Sequence, residues 1–367
     1  MLVEVIHLGK GHPSPSLLPD AMLRQAVAGL TSARSLSALQ YRGAAQDTNF
    51  RSALAAFLTD RYGHQVSPAA VLPTSGISLT LAMACQVFAA AGDTVVCGDP
   101  TYFLATTIFK TAGMALHTVP VDAQGMVVEA LEAALRSGLR PALVYCIPAY
   151  HNPAGVCLSP ERAERLVDLA ETYGFRILAD EPYTLLHYGP APPPCLMSLD
   201  RGRGRVIGLG SFSKLLAPGL RVGWLHAHPD LIAAFCAHGT LRSGGGLNPW
   251  MSAAVTALME DGSLGAHVDR LRTTLSARMD VLTASLEAHL PDCTFQRPAG
   301  GYFLWTRLTS PIPDGVAVLS GSRCSPSGSC REQARLSVSL YDAPMLQEAV
   351  SRLADAARDS SALGRAR

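Results

Sequence analysis

Between residues 71 and 209 the chain alternates two hydrophobic rhythms. Short, nearly continuous apolar runs at 71–74, 94–97, 115–119, 142–147, 176–179 and 206–209 read as strands. Between them, stretches at 79–91, 102–112, 127–135 and 160–173 repeat apolar residues at helical spacing. Strands apolar on both faces and separated by helices predict an α/β fold built on a mostly parallel sheet that is buried on both sides. Ligands in such sheets bind beyond the carboxyl ends of the strands, so the residues just after each strand are where chemistry is expected.

The flanks follow other patterns. Pro13, Pro15 and Pro19 punctuate an irregular opening; a short helix is predicted over 20–30 with Asp20 as its cap, then a loop at Tyr41-Arg42-Gly43 and a helix over 48–62. Beyond Trp224 the expected elements are a helix at 229–241, a flexible loop at 242–246 and two long helices over 250–290 that turn near Gly262-Ser263. A β segment at 300–305, a Ser/Pro/Gly-rich loop at 309–330, a strand at 334–340, a helix at 344–357 and a frayed tail, SSALGRAR, complete the chain. This predicts a smaller α+β domain at 231–367, a large domain at 36–230 and an N-terminal arm at 1–35.

A chain of 367 residues with 48% hydrophobic and 16% charged residues can bury large cores. Its formal net charge of +1 gives no electrostatic reason to expect nucleic acid or an anionic membrane. The nine cysteines form no C-x-x-C pair, which fits reduced thiols better than a disulfide framework. No signal peptide is evident in MLVEVIHLGKGHPSPSLLP, and the most apolar helix is too short to span a membrane, so a soluble cytoplasmic protein is expected.

The strand ends carry the candidate chemistry. Residues 206–209 lead into Ser211-Phe212-Ser213-Lys214, with Arg221 beyond Pro218 and Gly219. Two hydroxyls and a guanidinium suit a phosphate, and a lysine beside a phosphate site suits a phosphorylated aldehyde held as a Schiff base, pyridoxal phosphate being the common case. The strand at 71–74 meets Ser75-Gly76-Ile77-Ser78 and a helix N-terminus, whose free N–H groups make a second wall for the same anion. Asp180 is the choice for the carboxylate that keeps the cofactor's ring nitrogen protonated; Tyr183 and Asn152 are candidate donors to its phenolic oxygen, and Tyr102 a stacking partner. Arg335, inside the apolar run ARLSVSL, either pairs with an amino-acid carboxylate or faces water on an edge strand.

Taken in order, Tyr41, Ser75-Gly76, Tyr102, His151-Asn152-Pro153-Ala154-Gly155, Asp180-Glu181-Pro182-Tyr183, Ser211-Phe212-Ser213-Lys214, Arg221 and Arg335-Leu336-Ser337 resemble the class I/II aminotransferases. HNPAG, SKLLAPGLRVGW and SGGGLNP look most like the 2-aminoadipate aminotransferase branch. The resemblance implies a fold-type I pyridoxal-phosphate enzyme with a seven-stranded central sheet, acting on an amino acid and a 2-oxo acid. By resemblance Lys214 forms the internal aldimine and shuttles the proton, with Asp180 and Tyr183 as further catalytic residues. Ser75, Gly76, Ile77, Tyr102, Asn152, Ser211, Ser213 and Arg221 contact the cofactor, and Arg335 with Asn152 holds the substrate. Tyr41 reaches the partner's site in a homodimer. Three departures stand out: Ile77 replaces a small polar residue, Arg42 follows Tyr41 where glycine is common, and 308–335 is short.

Other readings make demands that the chain does not meet. Ser211-Phe212-Ser213-Lys214 as the S-x-x-K of a β-lactamase fold needs S-D-N and K-T-G elements, and neither occurs. Gly208-Leu209-Gly210 lacks the remaining dinucleotide fingerprint. His226 and His228 read as turn residues after a strand, with no further ligand at metal spacing. A cofactor-binding sensor is kept as the less expected alternative, since such proteins carry a DNA-binding segment and no basic helix-turn-helix is read ahead of the fold here. A lyase, decarboxylase or cyclase keeps the same ring contacts and stays open.

Overall fold

Strand Val206–Ser211, which leads to Lys214, runs inside a sheet whose spatial order is Val71–Thr74, Gly223–Ala227, Val206–Ser211, Arg176–Asp180, Leu143–Cys146, Thr94–Asp99, Ala115–Asp122 and Gly125–Met126. The computed structural model describes residues 4–30, 36–41, 43–189, 192–244, 247–308 and 311–365. Arg42, Gly245, Gly246 and Thr309, which belong to predicted loops, lie outside the described residues. The five strands from 206–211 to 115–122 in that order are mutually parallel, whereas Gly223–Ala227 is antiparallel to both its neighbours. The mostly parallel seven-stranded sheet is thus present, and a two-residue strand at Gly125–Met126 hairpins onto its edge.

Alternation along the strands explains the unbroken apolar runs. Cys97, Tyr145, Leu178 and Leu209 face one core, with helices Ile77–Phe88 and Phe103–Thr111, while Val96, Val144, Ile177 and Val206 face the other, with helices Val128–Arg136 and Pro160–Tyr173. Helices Thr48–Tyr62 and Pro160–Tyr173 keep their expected bounds, each with an oxygen cap, Asp47 or Ser159, and a left-handed glycine at the end.

Beyond the large sheet, helices Pro249–Glu260 and Ser263–His289 turn at Asp261-Gly262. A four-stranded antiparallel sheet follows in the order Thr294–Phe295, Phe303–Arg307, Gln333–Ser337 and Leu319–Ser320. The N-terminal Ile6–His7 pairs with Val316–Ala317, which brings the start of the chain onto this part. Among the described residues no helix is long and apolar enough to cross a membrane, and all nine cysteines are free thiols.

Several expectations change. His226 lies within strand Gly223–Ala227, buried and paired with Val71 and Gly208, because the run GWLHA continues the sheet instead of turning. The helix at 229–241 breaks at His238, whose ring accepts from Thr240 N and starts a fresh turn at Gly239–Arg242. The loop at 309–330 holds two short strands and the turn Gly321–Cys324. The last helix runs Ala343–Arg365 through the predicted tail. Asp20 is the first residue of helix Asp20–Ala28, the cap position falling on Pro19, and its carboxylate accepts from Arg24 Nε at 2.9 Å.

Gly210 shows how tightly the lysine strand packs. A Cβ there would fall 2.0 Å from Trp224 Cε2, and Trp224 is held 4.8 Å from the Phe212 ring with 3% of its surface exposed. Gly210→Ala should therefore destabilise the protein by about 1–3 kcal/mol, the usual range for overpacking, read as an earlier urea midpoint. An unchanged midpoint contradicts this packing.

Candidate active site

The carboxyl ends of the strands open onto a cavity of about 310 Å³. Asp180 and Ser211 end their strands, Tyr102 and Asn152 follow theirs, and all four line the cavity with Ile77, Tyr183, Ser213, Lys214, Arg221 and Arg335. Most of the predicted constellation is thereby brought to one place. Ser75 and Gly76 lie at its rim, where Ser75 O accepts from Arg221 Nη2 at 2.9 Å. Tyr41 is not among the lining residues and is 93% exposed.

Asp180 carries the sharpest electrostatic feature. Its Oδ2 accepts a 2.6 Å hydrogen bond from Tyr145 Oη, but its buried Oδ1 has no partner among the described residues. Burial pushes its pKa up to about 6, against the pull of Tyr145 and Lys214. A buried acceptor without a donor is costly, and a protonated ring nitrogen is the group that answers it.

Lys214 shares the cavity with Asp180. Its Nζ donates to Gly11 O at 2.8 Å and lies 5.7 Å from the Tyr302 ring centroid, while Tyr302 Oη holds the lysine's own carbonyl at 2.9 Å. Burial, then the positive Arg335, push its pKa down to about 8; Asp180 opposes the shift. An amine depressed in this way is a ready nucleophile near neutral pH.

The anion end is formed by the start of helix Ile77–Phe88 and by the lysine turn. Ile77, Ser78, Ser211, Ser213 and Arg221 all line the cavity there. Gly76 sits at φ +95°, and a Cβ on it would fall 2.9 Å from Arg221 Nη2, so glycine is what admits the guanidinium. Helix N–H groups, hydroxyls and an arginine are the donors that a phosphate cradle requires. Its walls fit a phosphorylated, ring-containing aldehyde.

Arg335 occupies the central strand Gln333–Ser337 and is 5% exposed, so the water-facing edge reading is overturned. Nη1 donates to Asn152 Oδ1 at 2.6 Å, Nη2 to Gly9 O at 2.7 Å, and the guanidinium carbon lies 3.8 Å from the Phe303 ring centroid. These partners are neutral. Its positive charge has no carboxylate among the described residues, which is the state a substrate carboxylate corrects.

Some cavity residues escape sequence reasoning. Gly11 and His12, from the N-terminal segment, and Phe303 line the cavity, and Tyr145 supports Asp180 from behind it. A glycine pair at Gly9 and Gly11 and the glycines before Phe303 are the only local signals. Tyr145 has none, because it sits inside an apolar strand.

Sheet order, the buried acceptor opposite a depressed lysine and the cradle define a fold-type I pyridoxal-phosphate enzyme. The chain belongs to the aminotransferase class I and II family, whose profile matches residues 3–353, and it is a pyridoxal-phosphate-dependent transaminase. It is 31% identical over 373 residues to aromatic-amino-acid aminotransferase 1 of Thermococcus litoralis, covering 97% of this chain and 88% of that one. It is 29% identical over 374 residues to the 2-aminoadipate transaminase of Thermus thermophilus, covering 98% and 91%, as the branch resemblance anticipates. The crystal structure of Pyrococcus horikoshii kynurenine aminotransferase, a complex with PMP, superposes with a TM-score of 0.89 at 30% identity, covering 98% of this chain and 92% of that one.

The depressed lysine gives a pH signature. With a pKa of about 8, the unprotonated fraction of Lys214 grows about tenfold per pH unit below 8 and levels off above. Attachment of pyridoxal phosphate to the coenzyme-free protein should accelerate in the same way, followed by stopped-flow absorbance. A rate that is flat between pH 6 and 8 contradicts the assignment.

Proposed function

We propose that the protein moves the amino group of an L-amino acid with a large apolar or aromatic side chain to a 2-oxo acid, with Lys214 as covalent anchor and proton carrier. The observation that carries this reading is the pairing, in one cavity, of a lysine pushed down to about 8 with a buried carboxylate oxygen that has no donor among the described residues. Pyridoxal phosphate, when bound, supplies an aldehyde that takes the amino group and a ring that accepts the electron pair left at Cα.

The chain's own residues divide the remaining work. Asp180 Oδ1 would accept from the ring nitrogen, and Tyr183 and the Asn152 amide, whose Oδ1 already serves Arg335, would donate to the phenolic oxygen. Tyr102 would stack on the ring. Ser211, Ser213, Arg221 and the amides at Ile77 and Ser78 would hold the phosphate, with Ser75 and Gly76 steadying Arg221. Arg335 with Asn152 would bind the α-carboxylate and so orient Cα toward Lys214 Nζ, which would take the proton from Cα and deliver it to the coenzyme's former aldehyde carbon, on the far side of the nitrogen. Phe103, Leu104 and Phe303 offer the side chain an apolar wall, and the names of the relatives acting on aromatic amino acids and kynurenine support that preference.

Residues 36–230 serve as the coenzyme-binding domain, and 231–367 with the arm at 1–35 bring Arg335 and the closing carbonyls. Tyr41, at 93% exposure, is followed back along the chain by Leu39 and Leu36, each about two-thirds exposed, which supports a homodimer in which Tyr41 reaches the partner's site, in a protein of the cytoplasm. Nine free thiols fit that compartment.

Mixing the loaded protein with L-phenylalanine or L-tyrosine should convert the coenzyme to its amine form with one 2-oxo acid released per site. Ammonia or carbon dioxide release with the aldehyde form restored contradicts transfer. Arg335→Gln should keep the coenzyme and lose about 10²- to 10³-fold in kcat/KM, the cost of removing one member of a buried charged pair; unchanged kcat/KM contradicts the carboxylate role.

A further inference from the structure

We infer that Tyr145 is a positioning residue of the coenzyme site: by donating to Asp180 Oδ2 from behind the cavity, it aims Oδ1, and Oδ1 alone, at the ring nitrogen. The inference rests on the coenzyme reading above and goes past it, to a residue that does not line the cavity.

Geometry carries the argument. Tyr145 is fully buried, and its hydroxyl lies 2.6 Å from Asp180 Oδ2, the length of an O–H donor meeting a carboxylate. Its ring packs edge-on against Phe109, with centroids 5.3 Å apart and planes at 68°, so the hydroxyl cannot swing away without opening the core. Strand register does the rest. Tyr145 pairs with Leu178, two residues before Asp180, so both side chains rise on the same face of adjacent strands. A carboxylate clamped at one oxygen cannot rotate to share the other, which explains why Oδ1 remains buried with no partner among the described residues.

The same hydrogen bond governs protonation. Other groups electrostatically coupled to Asp180 are Lys214 on the turn after Val206–Ser211, Glu181 beside it, Tyr183 beyond, Tyr102 after Thr94–Asp99, and Cys146 next to Tyr145. Burial of the carboxylate favours its neutral form, whereas Tyr145 and Lys214 favour the charged form. Below the Asp180 pKa both the carboxyl and the ring nitrogen carry protons, one of which must leave on binding, so coenzyme affinity falls as pH falls. Removing the hydroxyl raises that pKa and starts the fall at a higher pH.

The test measures the dissociation constant of pyridoxal phosphate between pH 5.5 and 8.5 for the wild type, Tyr145→Phe and a protein with 3-fluorotyrosine, a stronger donor of nearly the same shape, at position 145. The wild type should weaken below about pH 6. Tyr145→Phe should weaken from about one pH unit higher, with binding near pH 6 poorer by about tenfold and near-normal binding at pH 8.5. The fluorinated protein should shift the fall downward, and it decides the matter alone if Tyr145→Phe fails to fold. Superimposable profiles overturn the role of Tyr145 while leaving the transaminase reading intact. A wild type that takes up no pyridoxal phosphate overturns both.

Discussion

The site depends on one unsatisfied acceptor. Asp180 Oδ1 is buried at the end of a strand with no donor among the described residues, while its twin Oδ2 is tied to Tyr145. A charge kept from water in this way disfavours the coenzyme-free state and favours the arrival of a cationic donor. Lys214 and Arg335 are uncomfortable for the same reason, their positive charges met by the carbonyls of Gly11 and Gly9. One carboxylate and two cations, each without an opposite charge at contact distance among the described residues, suit the proposed binding of a zwitterionic ring and an amino acid carboxylate.

The sheet supplies the rigidity that this strain requires. Asp180 and Ser211 end adjacent parallel strands whose neighbours are buried on both faces, so their side chains emerge from fixed backbone. Arg335 comes from the central strand of the second sheet, and the N-terminal segment bridges the two parts. Ser339 Oγ donates to His12 O, and Arg278 reaches the hydroxyls of Ser14 and Ser16 together with the carbonyls of Val338 and Ser339. Glycine supplies the close approaches, with Gly76 under Arg221 and Gly210 under Trp224.

Much of this was legible in the chain because the chemistry follows the periodicity. Apolar runs mark strands, and the polar residues that break them, at Asp180, Asn152 and Ser211, line the cavity. What stayed hidden depends on partners far away in sequence. Gly9 and Gly11 acquire their roles through residues 326 and 203 positions on, and nothing near them signals it. Tyr145 reads as core because it is core, its contact with Asp180 residing in one atom. Whether Arg335 was central or at an edge depended on strand order, which local pattern does not encode, and the edge possibility is overturned by the strands pairing on both of its sides. His226 was misread because a strand antiparallel to its neighbours breaks the alternating rhythm of the core.

Lys214 as the point of covalent attachment is open to direct measurement. Reducing the loaded protein with borohydride, digesting it and mapping the pyridoxyl group by mass spectrometry should place the label on Lys214 alone, with Lys10 and Lys110 unmodified. A label on another lysine, or none at all in protein that binds the coenzyme, would contradict it.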